Sequence, residues 1–140
     1  MFDIKTRKTN TKKVINYCQK KLFQITQNDA ISGYLVFLFH WLFLGIIWLT
    51  LIFSEIGPAY FSAALAWVAI MLIHFYFNGC IFTRIERELW QTKEWFGPWM
   101  FVFTPLQDAG VEITENLANN IFNTWGVLII MLILMKYCFS

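Results

Sequence analysis

Charged residues are scarce in this sequence. Only 14% of its 140 residues are Asp, Glu, Lys or Arg, whereas 58% are hydrophobic. This is too little polar surface to solvate a globular domain, and the hydrophobic content excludes an intrinsically disordered chain. With a formal net charge of +2, the chain also lacks the basic stripe that neutralises nucleic-acid phosphates. We therefore expect a protein that lies in a lipid bilayer and binds no nucleic acid.

Cysteine and histidine are also rare, with three and two residues respectively. Because Cys18, Cys80 and Cys138 are odd in number and far apart, the sequence predicts no disulfide framework. It contains no G-x-S-x-G or H-E-x-x-H motif, no phosphate-binding loop and no repeated histidine motif of the membrane desaturase kind. We therefore expect three free thiols, no catalytic residue, no metal site and no cofactor, apart from the histidine alternative given below.

Three long apolar stretches are present. Residues 33–53 and 60–83 carry no formal charge, and residues 121–139 carry only Lys136. At about 1.5 Å per residue, each stretch is long enough as a helix to cross a hydrocarbon core of about 30 Å. The sequence thus predicts an all-α integral membrane protein with three transmembrane helices.

A shorter apolar stretch, WFGPWMFVFTPL, follows Glu94. Pro98 and Pro105 interrupt it, and it is too short to cross a membrane as a regular helix. It predicts a short interfacial or re-entrant element. A fourth, tilted or broken span over residues 88–106 remains open, although its charged residues would need partners inside the membrane.

A six-residue turn, SEIGPA, joins the first two spans and is closed by Gly57 and Pro58. Two helices joined by so short a turn must be antiparallel neighbours. The chain is therefore expected to divide into a basic amphipathic arm (1–32), a transmembrane helical hairpin (33–83), a polar and interfacial connector (84–120) and a C-terminal transmembrane helix (121–140).

The arm has the pattern of an amphipathic helix, because Val14, Cys18, Leu22 and Ile25 recur at helical spacing among lysines. Seven basic residues lie in the arm, none in the six-residue turn and three in residues 84–93. By the positive-inside rule, the N-terminus is expected on the cytoplasm-like side. The arm has no apolar stretch typical of a secretory signal, so we expect the first span to act as its own insertion signal.

His40 and His74 are the candidate cofactor-binding residues. At the helical rise they lie about 10 Å and 13 Å from the same membrane face, one on each helix of the hairpin. We expect them to face each other, since His74 shares its face with small alanine residues that let helices approach. Such a pair can ligate haem iron or a transition metal, or each ring can simply hydrogen-bond between helices.

The string HFYFNGCIFTRIERELW contains the second group of polar residues. We expect it to form a polar helix end that anchors the hairpin at the headgroup level. The interface or structural motif within it comprises Asn78, Cys80, Thr83, Arg84, Glu86 and Arg87.

The pattern Cys80-x-x-Thr83-x-x-Glu86-x-x-Leu89 resembles the C-x-L-T-x-x-E-x-x-L motif that closes a transmembrane helix in small, uncharacterised multi-pass membrane proteins of bacteria and large DNA viruses. A looser similarity extends to DAGVEI, residues 108–113. The resemblance implies a small helical membrane protein and adds no reaction.

The aromatic content of 19% and the lack of catalytic motifs favour a small accessory or structural subunit of a larger membrane assembly. Its expected partners are membrane lipids and either other membrane subunits or further copies of the chain. Two alternatives remain open. One is a haem- or metal-binding redox subunit that uses His40 and His74, and the other is a small oligomeric ion channel.

Overall fold

A computed structural model describes residues 3–140, and these fold into helices and the short segments that join them. No strand occurs in this range. In chain order the helices are α1 Ile4–Thr26, α2 Asp29–Phe53, α3 Pro58–Phe77, α4 Ile81–Trp90, α5 Met100–Asp108 and α6 Glu115–Cys138, with a 3-10 turn at Gly97–Trp99 before α5.

Three of these helices, α2, α3 and α6, are long and apolar enough to cross a membrane. They correspond to the three predicted apolar stretches, so the all-α class and the number of candidate spans in the described part of the chain are confirmed. Residues 88–106 form no further long helix, because they are shared among the end of α4, the 3-10 turn and α5.

Polar caps set the starts of two candidate spans. The side chain of Asn28 accepts hydrogen bonds from the backbone N–H groups of Ala30 and Ile31 at the start of α2. The hydroxyl of Thr114 accepts one from Leu117 N–H at the start of α6. Each cap satisfies donors that a helix start leaves unpaired. Both helices therefore begin before their apolar stretches do.

The second span ends earlier than the hydrophobic pattern predicts. α3 stops at Phe77, because Asn78 adopts a left-handed conformation with φ 52° and Gly79 follows at φ 141°. Both residue types tolerate positive φ, and together they end a helix. Cys80 then occupies the N-cap position of α4. The helix of the second span therefore ends before Thr83, where the apolar stretch ends.

The arm forms α1, and its covered face agrees with the predicted one in part. Cys18 and Leu22 pack against the core and Thr11 and Ile15 are buried, whereas Val14 and Ile25 are exposed. The buried side packs on α2 and α4, in a small core with Val36, Ile85 and Leu89. α1 is therefore part of the folded unit, and its contacts with α4 determine which of its faces is buried.

The larger apolar core lies where α2, α3 and α6 meet. Trp67 is fully buried there, and its indole N–H donates to the carbonyl of Gly126 at 3.3 Å. Tyr60 donates its hydroxyl to the carbonyl of Ile133 at 2.7 Å. A Cβ at Gly126 would lie 2.2 Å from Met71 Sδ, so this glycine allows α3 and α6 to approach closely.

Lys136 ties the end of α6 to the end of α2. Its Nζ donates to the carbonyl oxygens of Leu51 at 2.9 Å, Ile52 at 3.1 Å and Ser54 at 2.7 Å. It also lies 5.1 Å from the centre of the Tyr60 ring. Carbonyls at a helix C-terminus lack intrahelical donors and carry partial negative charge, so the ammonium group satisfies them.

Candidate functional site

The candidate site lies where the short helix α4 packs against α2. Close packing is possible because α2 has a glycine at the contact: a Cβ on Gly33 would lie 2.2 Å from Nε1 of Trp90. The same Nε1 donates a hydrogen bond to the carbonyl of Ala30 at 3.1 Å. α4 is strongly amphipathic, and its buried side faces α2. This packing brings the polar residues of α4 to His40.

Four side chains form a connected cluster, which we call the thiol cluster: Cys80, His40, Glu86 and Trp95. His40 Nε2 lies 3.4 Å from Cys80 Sγ, and His40 Nδ1 lies 3.1 Å from Glu86 Oε1. The indole N–H of Trp95 donates to Glu86 Oε2 at 2.6 Å. His40 is 4% exposed and Glu86 is 0% exposed. The two central members of the cluster are therefore buried, and the four side chains hold one another in place.

The hydrogen-bond pattern orients His40. In the tautomer that has its proton on Nδ1, His40 donates a hydrogen bond to Glu86 Oε1. Nε2 then faces the thiol and is free to accept its proton. A nucleophile, a base within reach of it and a third group that orients the base are the parts of a catalytic triad.

Cys80 occupies the N-cap position of α4. Burial alone would raise the pKa of its thiol, but the His40 imidazole and the backbone and hydroxyl groups of Thr83 favour the thiolate, and the net result is a lowered pKa. The positive end of the helix dipole acts in the same direction. The Cys80 thiol is therefore placed for reaction as a nucleophile.

Gly97 covers the thiol cluster. It has φ 64°, a conformation that disfavours side chains. A Cβ there would lie 2.6 Å from Thr83 Oγ1, 3.4 Å from His40 Cε1 and 3.5 Å from Glu86 Oε2. Only a glycine allows the backbone to approach this closely, so the segment before α5 closes the site.

His74 lies near Cys80 but outside the thiol cluster. Its ring stacks on Phe122 with 4.1 Å between centroids. It is 5% exposed, and neither ring nitrogen has a hydrogen-bond partner among the described residues. A buried imidazole without a partner is costly, which points to a polar group that this structure does not supply.

The predicted face-to-face arrangement of the two histidines takes a different form. Both nitrogens of His40 are engaged by Glu86 and Cys80, while those of His74 have no partner in the part of the chain that the structure describes. No group of three His, Cys, Asp or Glu side chains able to hold a metal ion occurs among the described residues. The haem or metal hypothesis for these histidines stays a prediction.

Two cavities meet at Cys80. An apolar groove of about 410 Å³ runs between α2 and α3, with His40, His74 and Cys80 at one end. A smaller cavity of about 40 Å³, which we call the basic pocket, is lined by His74, Cys80, Arg84, Arg87 and Glu115 among others. The thiol therefore lies between an apolar and a charged environment.

The remaining motif residues line the side of α4 that faces α6. Arg84 donates to the carbonyl of Asn78 at 3.0 Å, and Arg87 donates to the carbonyl of Trp95. Both guanidinium groups approach Oε1 of Glu115, Arg84 at 3.9 Å and Arg87 at 3.3 Å. The predicted polar helix end thus has two sides: Cys80 and Glu86 contact α2, and the arginines contact the start of α6.

Sequence reasoning missed how these residues combine. The expectation of no catalytic residue stays a prediction, but no pattern in the sequence indicates that His40 contacts Cys80 across 40 positions of chain. Sequence reasoning also missed Trp95 and Gly97. Their signal in the sequence is W-F-G-P, where the tryptophan supplies a donor and glycine before proline marks a close turn.

Comparisons of this chain with protein-family models, with curated proteins and with solved structures find no match. The predicted resemblance to small multi-pass membrane proteins therefore stays a prediction.

Proposed function

We propose that this protein is a membrane-embedded thiol enzyme that transfers acyl groups. Cys80 is the nucleophile, His40 is the general base and Glu86 orients His40. The observation that carries the proposal is the contact series from Cys80 Sγ to His40 Nε2 at 3.4 Å and from His40 Nδ1 to Glu86 Oε1 at 3.1 Å. A histidine held in this way on both nitrogens is suited to proton transfer.

The reaction follows from these positions. His40 Nε2 takes the proton of the Cys80 thiol as sulfur adds to the carbonyl carbon of an ester or thioester. The bond from that carbon to the leaving group breaks, and the departing oxygen or sulfur takes the proton from His40. An acyl thioester on Cys80 remains. Water or an acceptor alcohol then attacks it, gives its proton to His40, and releases the thiol with that proton.

The first turn of α4 supports the same reaction. Its first N–H groups lack intrahelical acceptors, because the first intrahelical bond of this turn runs from Arg84 N–H to the carbonyl of Cys80. The N–H groups of Ile81 and Phe82 are thus free to donate beside the nucleophile. Backbone donors at a helix start stabilise the negative oxygen that forms when a carbonyl is attacked.

A burst experiment tests the proposal. The purified protein is mixed with p-nitrophenyl acetate, and release of p-nitrophenolate is followed by absorbance. We expect a burst of about one equivalent per chain that disappears in Cys80→Ala. In His40→Gln the burst rate should fall about 10²- to 10⁴-fold, the usual contribution of a general base. The double variant Cys18→Ala/Cys138→Ala is the matched control and should keep the burst. A burst that survives in Cys80→Ala would overturn the proposal.

We also propose that the protein is a multi-pass integral membrane protein with its N-terminus on the cytoplasm-like side. The packing of α1 against α4 supports this, since it keeps the seven basic residues of the arm on the same side as those that follow α3. In a variant without native cysteines, Lys8→Cys and Lys93→Cys should react with an impermeant reagent from the same side. Reaction from opposite sides would contradict this threading.

A second candidate function is that of a small accessory or structural subunit in a membrane assembly. α6 favours it, because only Phe122 and Gly126 are buried among its residues and its apolar side is left open. Lipid or another membrane protein must cover that side. Gentle extraction from the native membrane followed by size analysis tests it: a defined complex with other subunits is expected, and a chain that always migrates alone would contradict it.

A further inference from the structure

The apolar groove begins at the nucleophile and leads into the lipid-facing part of the hairpin. From Cys80 and His40 it continues between α2 and α3 along Ala66, Ala69 and Ile70. Its volume of about 410 Å³ is in the range of ligand sites, about 300–1,000 Å³. The two alanines keep it open, since larger side chains there would fill it. An apolar groove between two candidate spans suits an acyl chain, the apolar chain that a bilayer itself supplies.

His74 adds a polar contact at the junction of the two cavities. It lines both the groove and the basic pocket, is 5% exposed, and has no partner for either ring nitrogen among the described residues. A buried ring nitrogen of this kind calls for a polar atom of a ligand close to Cys80. A carbonyl or ester oxygen at the head of an acyl chain would accept a hydrogen bond there.

The basic pocket adds charge on the other side of Cys80. Arg84 and Arg87 share a single carboxylate, that of Glu115, whose side chain is 58% exposed. Two guanidinium groups against one carboxylate leave one positive charge in excess. Guanidinium groups bind phosphate oxygens well, and a phosphate can compete with a carboxylate that is mostly in solvent.

We propose that the acyl donor is a long-chain acyl ester or thioester whose head group carries a phosphate, with the chain in the apolar groove and the phosphate at the basic pocket. This inference rests on the proposed function. Membrane phospholipids and acyl-coenzyme A both carry an acyl group and a phosphate, although the pantetheine arm of acyl-coenzyme A holds the two further apart. The experiment below distinguishes them. The carbonyl carbon lies at Cys80, between chain and phosphate, and the bond that breaks joins it to the head-group side.

Two labelled donors test the inference. The protein is placed in vesicles of diether phosphatidylcholine, which has no acyl ester. In one arm the vesicles contain phosphatidylglycerol with a radiolabelled oleoyl chain, and in the other radiolabelled palmitoyl-coenzyme A is added. We expect one donor to leave label on the protein that neutral hydroxylamine releases and that Cys80→Ala lacks. The arm that gives label identifies the source.

A variant in the groove tests the inference with a ratio of rates, which a partial loss of folded protein does not change. Ala69→Trp places a bulky side chain in the groove, and Ala59→Trp puts the same side chain on an exposed position of α3 outside it. The measured quantity is the ratio of acylation rates with p-nitrophenyl palmitate and p-nitrophenyl acetate. We expect this ratio to fall at least about 10-fold in Ala69→Trp, as removal of several buried methylene contacts implies, and to stay unchanged in Ala59→Trp.

The outcomes separate the two proposals. If neither donor labels Cys80 while the acetate burst persists, the substrate inference is overturned and the thiol enzyme stands. An unchanged palmitate-to-acetate ratio in Ala69→Trp would also overturn it. If the acetate burst itself is absent, the proposed function fails and this inference fails with it.

Discussion

The contact of α2 with α4 and the contact of α3 with α6 use polar side chains in different ways. Between α3 and α6, and between α6 and the end of α2, Tyr60, Trp67 and Lys136 donate to backbone carbonyls. Between α2 and α4, polar side chains contact one another, as His40 and Glu86 do.

The first kind of contact holds helices together, and the second kind also supports a reaction. A bond from a side chain to a backbone carbonyl joins two helices without creating a reactive group. A buried thiol, imidazole and carboxylate in series need one another to be satisfied, and the same series can move a proton. The comparison implies that variants at the α2–α4 contact alter stability and reactivity together, whereas variants at the α3–α6 contact alter stability alone.

The largest effect on stability is expected from Glu86→Ala. This variant leaves His40 and Trp95 without their buried partner, at a cost of about 3–5 kcal/mol in the free energy of unfolding. Tyr60→Phe removes one bond from the α3–α6 contact and should cost only about 0.6 kcal/mol. Equilibrium unfolding in mixed micelles measures both, and equal costs would remove the distinction between the two contacts.

A smaller effect is expected from Gly97→Ala. The new alanine must adopt φ 64°, and its Cβ would lie 2.6 Å from Thr83 Oγ1. We therefore expect the free energy of unfolding to fall by about 1–3 kcal/mol and Cys80 to be alkylated more slowly. Two control variants separate the causes. Gly110→Ala has positive φ but open space around it, and Gly45→Ala lies in α2 with open space. Cys80 reactivity that is unaltered in Gly97→Ala would show that this segment does not cover the site.

Lys136→Met should have a moderate effect that is confined to stability. It removes the three bonds to the carbonyls at the end of α2, and intramembrane hydrogen bonds of this kind are worth about 0.6–1.7 kcal/mol. Lys93→Met, at an exposed position, is the control. The acetate burst should be retained in both variants. Loss of the burst in Lys136→Met would mean that the two contacts are coupled.

The smallest effect concerns pH. Burial raises the pKa of the Cys18 thiol, whereas the pKa of Cys80 is lowered because His40 and Thr83 together outweigh burial. A thiolate with a lowered pKa persists at lower pH, so alkylation of Cys80 should reach half its maximal rate below the usual value of about 8.5, and that of Cys18 above it. The titratable and charged groups around Cys80 are His40, which contacts it, and the pocket residues His74, Arg84, Arg87 and Glu115.

Peptide mass spectrometry after iodoacetamide treatment across a pH series gives the two profiles separately. His40→Gln should move the Cys80 profile to higher pH. The same profile for Cys80 in wild type and in His40→Gln would contradict the assigned contact.

The helices could be predicted from the sequence because their signals are local. Uninterrupted apolar residues predicted α2, α3 and α6, and apolar residues at helical spacing predicted α1. A local signal also ends α3, since Asn78 and Gly79 interrupt a stretch whose hydrophobicity continues to Phe82.

The site could not be predicted in the same way. His40, Cys80 and Glu86 were each named as polar residues of interest. Their contact depends on how α4 packs against α2, which the glycine at position 33 allows. Trp95 and Gly97 come from a stretch that reads as an interfacial element. Such contacts depend on tertiary packing, and no spacing rule along a single helix describes them.

Locating the acyl group on the protein tests the central claim most directly. Protein is mixed with p-nitrophenyl acetate, quenched at short times and digested, and the acetylated peptide is identified by mass spectrometry. We expect acetyl on Cys80 in the wild type, formed about 10²-fold or more slowly in His40→Gln because the thiol loses its base. Acetyl found only on Cys18, Cys138 or lysine, or acetylation of Cys80 at the same rate in His40→Gln, would contradict the account.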